Sequence, residues 1–407
     1  MTDPDLKDLT ADLDADLDAD LAADLAADLA ADLVVGAAEL ERTERGLRPH
    51  RLPHAVRERF ADPQLRLMEA QPAGVRIAVT TTARHLELEL HATRVAYRGM
   101  PRPRGAVDVV VDGARLASHA LTGGDALELD MATGASTLAP GGPDVVVVDE
   151  LPAGEKSVEI WLPHNEQVDL VALRSDAPLR PTPPSGPLWL HHGSSISHGS
   201  NATGPASTWP AVAARRAGVR LHNLGFGGSA LVDPFMARLM RDTPADLISA
   251  KLGINVVNLD AMRLRSFVPA VHGFLDTIRD GHPDTPLLLV TPIFCGIHED
   301  TPGPGAVDPS ALAEGAVRFV ATGTEHDTAA GRLTLRVIRQ ALAEVVAARS
   351  DDPNLHLLDG LELYGEADAA ELPLPDGLHP DTAAHALIGT RFADLALAAG
   401  GPLQPRA

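Results

Sequence analysis

One cysteine stands in 407 residues, and Cys295 alone can form no intrachain disulfide. It also lacks the partners at fixed spacing that a structural zinc site needs, so a reducing, cytoplasmic setting is the simplest expectation. No stretch of eighteen or more apolar residues occurs, and the N-terminus has neither a basic segment nor a continuous apolar one. The sequence therefore predicts no membrane span and no export signal. Positive charge is scarce: 34 Lys and Arg face 56 Asp and Glu, a formal net charge of -22, which repels nucleic acid and anionic membrane surfaces. Three enzyme signatures are also missing: a Walker A loop, a G-x-G-x-x-G opening a helix after a strand, and a G-x-S-x-G elbow.

What is present suffices for a folded protein. Apolar residues make up 45% and charged residues 22% of the chain, values at which a core forms, and the length allows two ordinary domains. Much of the charge excess is local, because residues 1–33 hold eleven Asp against one Lys, which is -10 of the -22 and leaves -12 for the remainder. In that segment Leu9, Leu13, Leu17, Leu21, Leu25, Leu29 and Leu33 recur at strict period four. A helix turns once per ~3.6 residues, so the leucines drift by ~40° per step and leave no straight apolar stripe. Residues 1–45 are expected to be an acidic low-complexity tail, disordered or weakly helical, with a partner-binding helix as the alternative.

From about residue 50 to 175 the texture is short alternating segments separated by Gly and Pro. Val75–Val79, His85–Leu90, Val107–Val111, Val145–Val148, Val158–Leu162 and Val168–Leu173 predict strands with one buried face and no convincing helix between them. Residues 46–175 are therefore expected to form an antiparallel β-sandwich, serving as a packing module, a carbohydrate binder or a wall of a neighbouring site. Residues 176–187, DAPLRPTPPSGP, read as a semi-rigid linker. Beyond it, apolar runs at Leu188–His191, Leu221–Asn223, Leu247–Lys251, Leu287–Thr291 and Leu355–Asp359 alternate with helical stretches at Thr208–Ala217, Ala261–Asp280, Ala329–Arg349 and Thr382–Ala398. Residues 188–407 thus predict an α/β domain with a parallel sheet covered on both faces, whose ligands bind beyond the carboxyl ends of the strands.

Four segments stand at those strand ends. The first is Gly193-Ser194-Ser195-Ile196-Ser197-His198-Gly199, which alone is more often a turn than a nucleophile loop. The second, Asn223-Leu224-Gly225-Phe226-Gly227-Gly228-Ser229, has glycines that let backbone approach a substrate or merely punctuate a strand-to-helix turn. The third, Gly253-Ile254-Asn255, sets a side-chain amide at the same edge, or an N-cap. The last is Asp376-Gly377-Leu378-His379-Pro380. Its three-residue spacing lets a carboxylate hold one imidazole nitrogen while the other takes a proton from a hydroxyl; a simple D-G turn is the plain alternative.

In this order, the four segments resemble the block pattern of the SGNH (GDSL-like) hydrolases, with Ser195, Gly228, Asn255 and His379 at the family's four positions and Asp376 in its D-x-x-H. The chain departs from the usual pattern at Ser194, where block one ordinarily carries Asp, and at Val256, where block three does. The run Cys295–Pro304 and the leading β domain are similar to two-domain bacterial GDSL-like lipases and to an acyltransferase branch of natural-product assembly. The resemblance implies a flavodoxin-like three-layer SGNH domain behind the β-sandwich, with Ser195 as nucleophile and His379 and Asp376 as base and orienting acid. It implies an oxyanion hole from Ser195, Gly228 and Asn255, and no metal or organic cofactor. The expected activity is serine esterase action on a small-molecule or carbohydrate ester. The alternatives are acyl transfer to a hydroxyl of a sugar or natural product, and a non-catalytic carbohydrate-binding protein. Nucleic acid and membrane partners are not expected, and the oligomeric state is left open. Residues 296–327 read as a long irregular connection that either borders the active site or is an ordinary surface insertion. The neighbouring His298, Glu299 and Asp300 lack metal-ligand spacing.

Overall fold

The computed structural model describes residues 32–60, 62–98, 102–130, 133 and 135–404. Most of the acidic repeat, residues 1–31, lies outside the described residues. The first domain consists of two sheets facing each other. One runs in the order Val34–Val35, Arg76–Thr81, Lys156–Trp161, Ala106–Val111, Ala114–Ala120, and the other in the order Glu39–Thr43, Gly46–His50, Gln167–Ser175, Leu86–Tyr97, Asp125–Leu129, Ser136–Ala139. Ile77, Val79, Val109 and Ile160 of the first sheet meet Leu88, Leu90, Val146 and Val168 of the second in one apolar core. The alternation is direct: Leu86, Leu88 and Leu90 point inward, while Glu87 and Glu89 point out and pair with Arg174 across the neighbouring strand.

Three features differ from expectation. The sandwich takes in Val34–Val35 and Glu39–Thr43, which precede the expected boundary at 46, because these short segments add to the edges of both sheets. The pairing is antiparallel throughout except between Leu86–Tyr97 and Asp125–Leu129, which run parallel. Within the proline-rich connection Leu179–Pro181 pairs with Val79–Thr81 as an edge strand, a place where proline's missing N–H is tolerated.

The second domain is a five-stranded parallel sheet in the order Arg220–Gly225, Leu188–Gly193, Leu247–Lys251, Leu287–Val290, Leu355–Leu358, so that the first strand in sequence lies second in space. Leu287–Val290 is buried at every position because helices cover both faces of the sheet. On one face Met236, Phe267, Phe274, Ile278 and Leu342 come from the helices Pro234–Asp242, Leu264–Gly281 and Leu335–Ala347. On the other, Trp209, Ala213, Ile388 and Phe392 come from Trp209–Ala217 and Thr382–Phe392. This is the expected three-layer α/β arrangement. No helix among the described residues is long and apolar enough to cross a membrane.

The two domains are joined by a buried cation. Arg51, on the segment leaving the sandwich strand Gly46–His50, is fully inaccessible. It donates to the Gly225 carbonyl at 2.6 Å, to those of Asn223 at 3.3 Å and Met68, and to His198 Nδ1 at 3.2 Å, while lying over the Phe226 ring. Burial pulls its pKa down to about 9, partly offset by nearby Glu69. The sandwich thereby holds two of the loops that follow the parallel strands.

Candidate active site

Because the strands ending at Gly225, Gly193 and Lys251 are neighbours, the segments after them emerge on one rim of the sheet. Ser195 opens a four-residue helix, Ser195–His198, and its N–H is among those such a helix leaves unused. Ser194 is buried; its hydroxyl accepts from Ile196 N at 3.4 Å and caps that helix. Ser195 is partly exposed.

The structure brings Ser195, His379 and Asp376 together. His379 Nε2 lies 2.9 Å from Ser195 Oγ, and His379 Nδ1 lies 2.8 Å from Asp376 Oδ2. Asp376 Oδ1 accepts from the N–H groups of Leu378 at 2.9 Å and His379 at 2.7 Å, which closes the turn and aims the ring. Burial pushes the Asp376 carboxyl up, but the His379 hydrogen bond, its charge and the two backbone donors outweigh this and hold it below the usual carboxylate value. An ionised carboxylate only accepts, so His379 Nδ1 carries the proton and Nε2 is the nitrogen free to take one from Ser195.

A buried polar lattice fixes the loops behind the hydroxyl. His191 bridges Ser249 Oγ and Ser197 Oγ, both at 2.8 Å, and Asn223 donates to Ser197 O while accepting from Gly225 N, both at 2.9 Å. Desolvation, reinforced by His192 and Lys251, drives His191 well below its ordinary pKa, so it bonds as a neutral ring. Gly225 is packed against the Ser195 helix so closely that a Cβ would lie 2.5 Å from Ser197 C. Gly228 turns in the left-handed region at φ 71°, and Asn255 Oδ1 accepts from Ala230 N at 3.1 Å, which leaves the Asn255 amide nitrogen for another acceptor.

Several residues around the site have no signal in the four sequence blocks. Gln64, from the sandwich-domain helix Pro63–Glu69, donates to Gly227 O at 2.9 Å. A Cβ on Gly227 would sit 2.9 Å from Met68 Sδ and 3.7 Å from Ser195 Cβ, so the Gly227 backbone lies between the Met68 thioether and the Ser195 side chain with no room for a larger residue. From residues 296–327, Phe319 meets the His379 ring edge-on at 5.4 Å and donates its N–H to Asp376 O at 2.7 Å. That connection therefore borders the site. Cys295, its thiol pushed by burial up to about 12, donates to Gly377 O under the same turn. Asn201 donates to Asp376 Oδ2 at 3.0 Å. His298, Glu299 and Asp300 diverge to separate partners: Asn258 with the Thr301 carbonyl, Arg339, and Arg336.

These features define an α/β protein with a hydroxyl, an imidazole and a carboxylate in sequence at the rim of a parallel sheet. Residues 192–387 match the GDSL-like lipase/acylhydrolase family, and residues 33–171 match the N-terminal domain of SsfX3. The second domain of this chain is thus a GDSL-like domain, and it follows a domain similar to the N-terminal domain of SsfX3. Among solved structures, the salicylyl-acyltransferase SsfX3 from a tetracycline biosynthetic pathway is similar at 29% identity and TM-score 0.72, over 88% of this chain and 92% of that one. A protein from Bacteroides ovatus ATCC 8483 described as GDSL-like lipase shares the fold at 20% identity and TM-score 0.63, over 88% and 93%. A family two carbohydrate esterase from Clostridium thermocellum shares it at 14% and 0.52, over 79% and 91%. No curated protein sequence matches the chain.

Proposed function

We propose that this protein transfers an acyl group through an acyl-serine intermediate to a hydroxyl of a small-molecule or carbohydrate acceptor, with hydrolysis as the branch in which water takes the acceptor's place. The observation that carries the reading is the hydrogen-bonded chain from Asp376 through His379 to Ser195. In the first half-reaction Ser195 Oγ attacks the carbonyl carbon of the donor ester as His379 Nε2 takes the hydroxyl proton, and Asp376 stabilises the imidazolium. The carbonyl electrons pass to oxygen, and that oxyanion accepts hydrogen bonds from the N–H groups of Ser195 and Gly228 and from the Asn255 amide. Collapse expels the donor alkoxide, which takes the proton from His379. In the second half the acceptor hydroxyl gives its proton to His379 and attacks the acyl carbon; the tetrahedral intermediate then collapses, and Ser195 Oγ leaves with the proton returned by His379. None of these steps requires a metal or organic cofactor.

Transfer is preferred over simple hydrolysis because the two-domain likeness at 29% identity is to an acyltransferase, and it spans both domains. Phe319 supplies an aromatic face beside the imidazole, fitting an acyl donor with an apolar or aromatic acyl group. Product analysis decides between the branches: with a p-nitrophenyl ester and candidate alcohols, transfer yields the new ester in proportion to the alcohol. Free acid alone at every alcohol concentration identifies an esterase. Inertness of Ser195 toward both p-nitrophenyl esters and fluorophosphonate would favour a binding protein instead.

A further inference from the structure

We infer that Asn201 is a positioning residue that fixes the Asp376 carboxylate relative to the helix carrying Ser195, forming a fourth member of the hydrogen-bonded chain. The inference rests on the acyl-serine reading above. Asn201 follows the Ser195–His198 helix by three residues and stands at φ 67°, a left-handed conformation that costs most side chains energy and that Asn tolerates better than most. Both sides of it are anchored. Ser200 O accepts from the buried His385 at 3.0 Å, and Thr203 N donates to Thr382 Oγ1 at 2.9 Å. The loop is thus pinned to the helix that follows His379, and the strained residue between the anchors delivers its amide to Asp376 Oδ2 at 3.0 Å.

A carboxylate offers about four acceptor positions. At Asp376 three are filled from its own turn, by Leu378 N, His379 N and His379 Nδ1. The fourth donor, Asn201, is the one that comes from the Ser195 side. Without it the carboxylate keeps its imidazole, but it loses its own direct tie to the loop that follows Ser195, and the negative charge is less spread. A less neutralised carboxylate holds the imidazolium more strongly, so the pH below which the imidazole cannot accept the serine proton rises. Other titratable groups around the pair do not compete. Burial pushes the Cys295 thiol up to about 12 and holds His385 down to about 4, while Asp381 caps the next helix through Ala384 N at 2.9 Å.

The test is the rate at which a fluorophosphonate labels Ser195 as a function of pH in the full chain, in Asn201→Gly and in Asn201→Asp. Glycine accepts the positive φ and deletes only the donor; aspartate keeps the shape and adds a second carboxylate. The expected result is a roughly tenfold slower labelling near neutrality in Asn201→Gly, with the acidic limb of the profile moved to higher pH. In Asn201→Asp the limb moves further, by about one pH unit or more. Wild-type labelling at Ser195 with unmoved limbs in both variants overturns the inference, as does a fall in the labelled fraction that leaves the limb in place. Failure of the wild type to label at Ser195 overturns the acyl-serine reading itself.

Discussion

Asn255 offers a test in which the structure separates two roles of one side chain. Its Oδ1 accepts from Ala230 N at 3.1 Å, which ties it to the turn after Ser229, and its amide nitrogen is the group assigned to the oxyanion. Asn255→Ala removes both, leaving a buried N–H unpaired at a cost of about 1–3 kcal/mol in stability as well as a lost donor. Asn255→Asp keeps an acceptor for Ala230 N and removes the donor alone. Loss of one oxyanion donor lowers turnover by ~10²–10³, equivalent to ~2.7–4 kcal/mol of transition-state stabilisation. Steady-state kinetics on a p-nitrophenyl ester, beside thermal denaturation, should show kcat lower by at least ~10² in both variants. Stability should fall chiefly in Asn255→Ala. Near-wild-type kcat in Asn255→Asp would refute the assignment of Asn255 to the oxyanion.

Other outcomes follow from the same contacts. Arg51→Ala strips the donor from three backbone carbonyls and the His198 ring, at ~1 kcal/mol or more each; denaturation should show a loss of roughly 4 kcal/mol or more, together with impaired labelling of Ser195. Ser194→Ala should retain fluorophosphonate labelling and lose at most the ~1 kcal/mol of a helix cap, since the Ser194 hydroxyl bonds only inward to Ile196 N. Asp376, with its folded pKa depressed, stabilises the fold above the value of an unfolded Asp, and that contribution vanishes as pH falls through the lower folded value. The stability difference between wild type and Asp376→Asn should therefore be constant above about pH 5 and close below about pH 4, as read from denaturant midpoints across pH.

The parts legible in the sequence are those in which local pattern and tertiary role coincide. Leu247–Lys251 and Leu287–Val290 stand out as strands because both faces are buried, and Leu86–Leu90 because one face is. The Asp376–His379 turn is legible because the spacing that forms the turn is also the spacing that aims the ring. The helix Pro234–Asp242 was not among the expected elements, although Asp233-Pro234 marks its start. Gln64, Met68 and Arg51 were illegible for a different reason. They lie more than 120 residues before Ser195, and nothing local in PQLRLME announces contact with a distant loop. Asn201 is close in sequence to the Ser195 segment, yet its bond to Asp376 spans 175 positions and depends on how the loop is pinned to the helix after His379.

The most direct test is to quench the enzyme during turnover of p-nitrophenyl acetate and map the acetyl group by peptide mass spectrometry. An acetyl group on Ser195, absent in Ser195→Ala and in His379→Ala, is the expected result. Turnover with the acetyl group on another residue, or undiminished turnover in Ser195→Ala, would contradict acyl transfer through that hydroxyl.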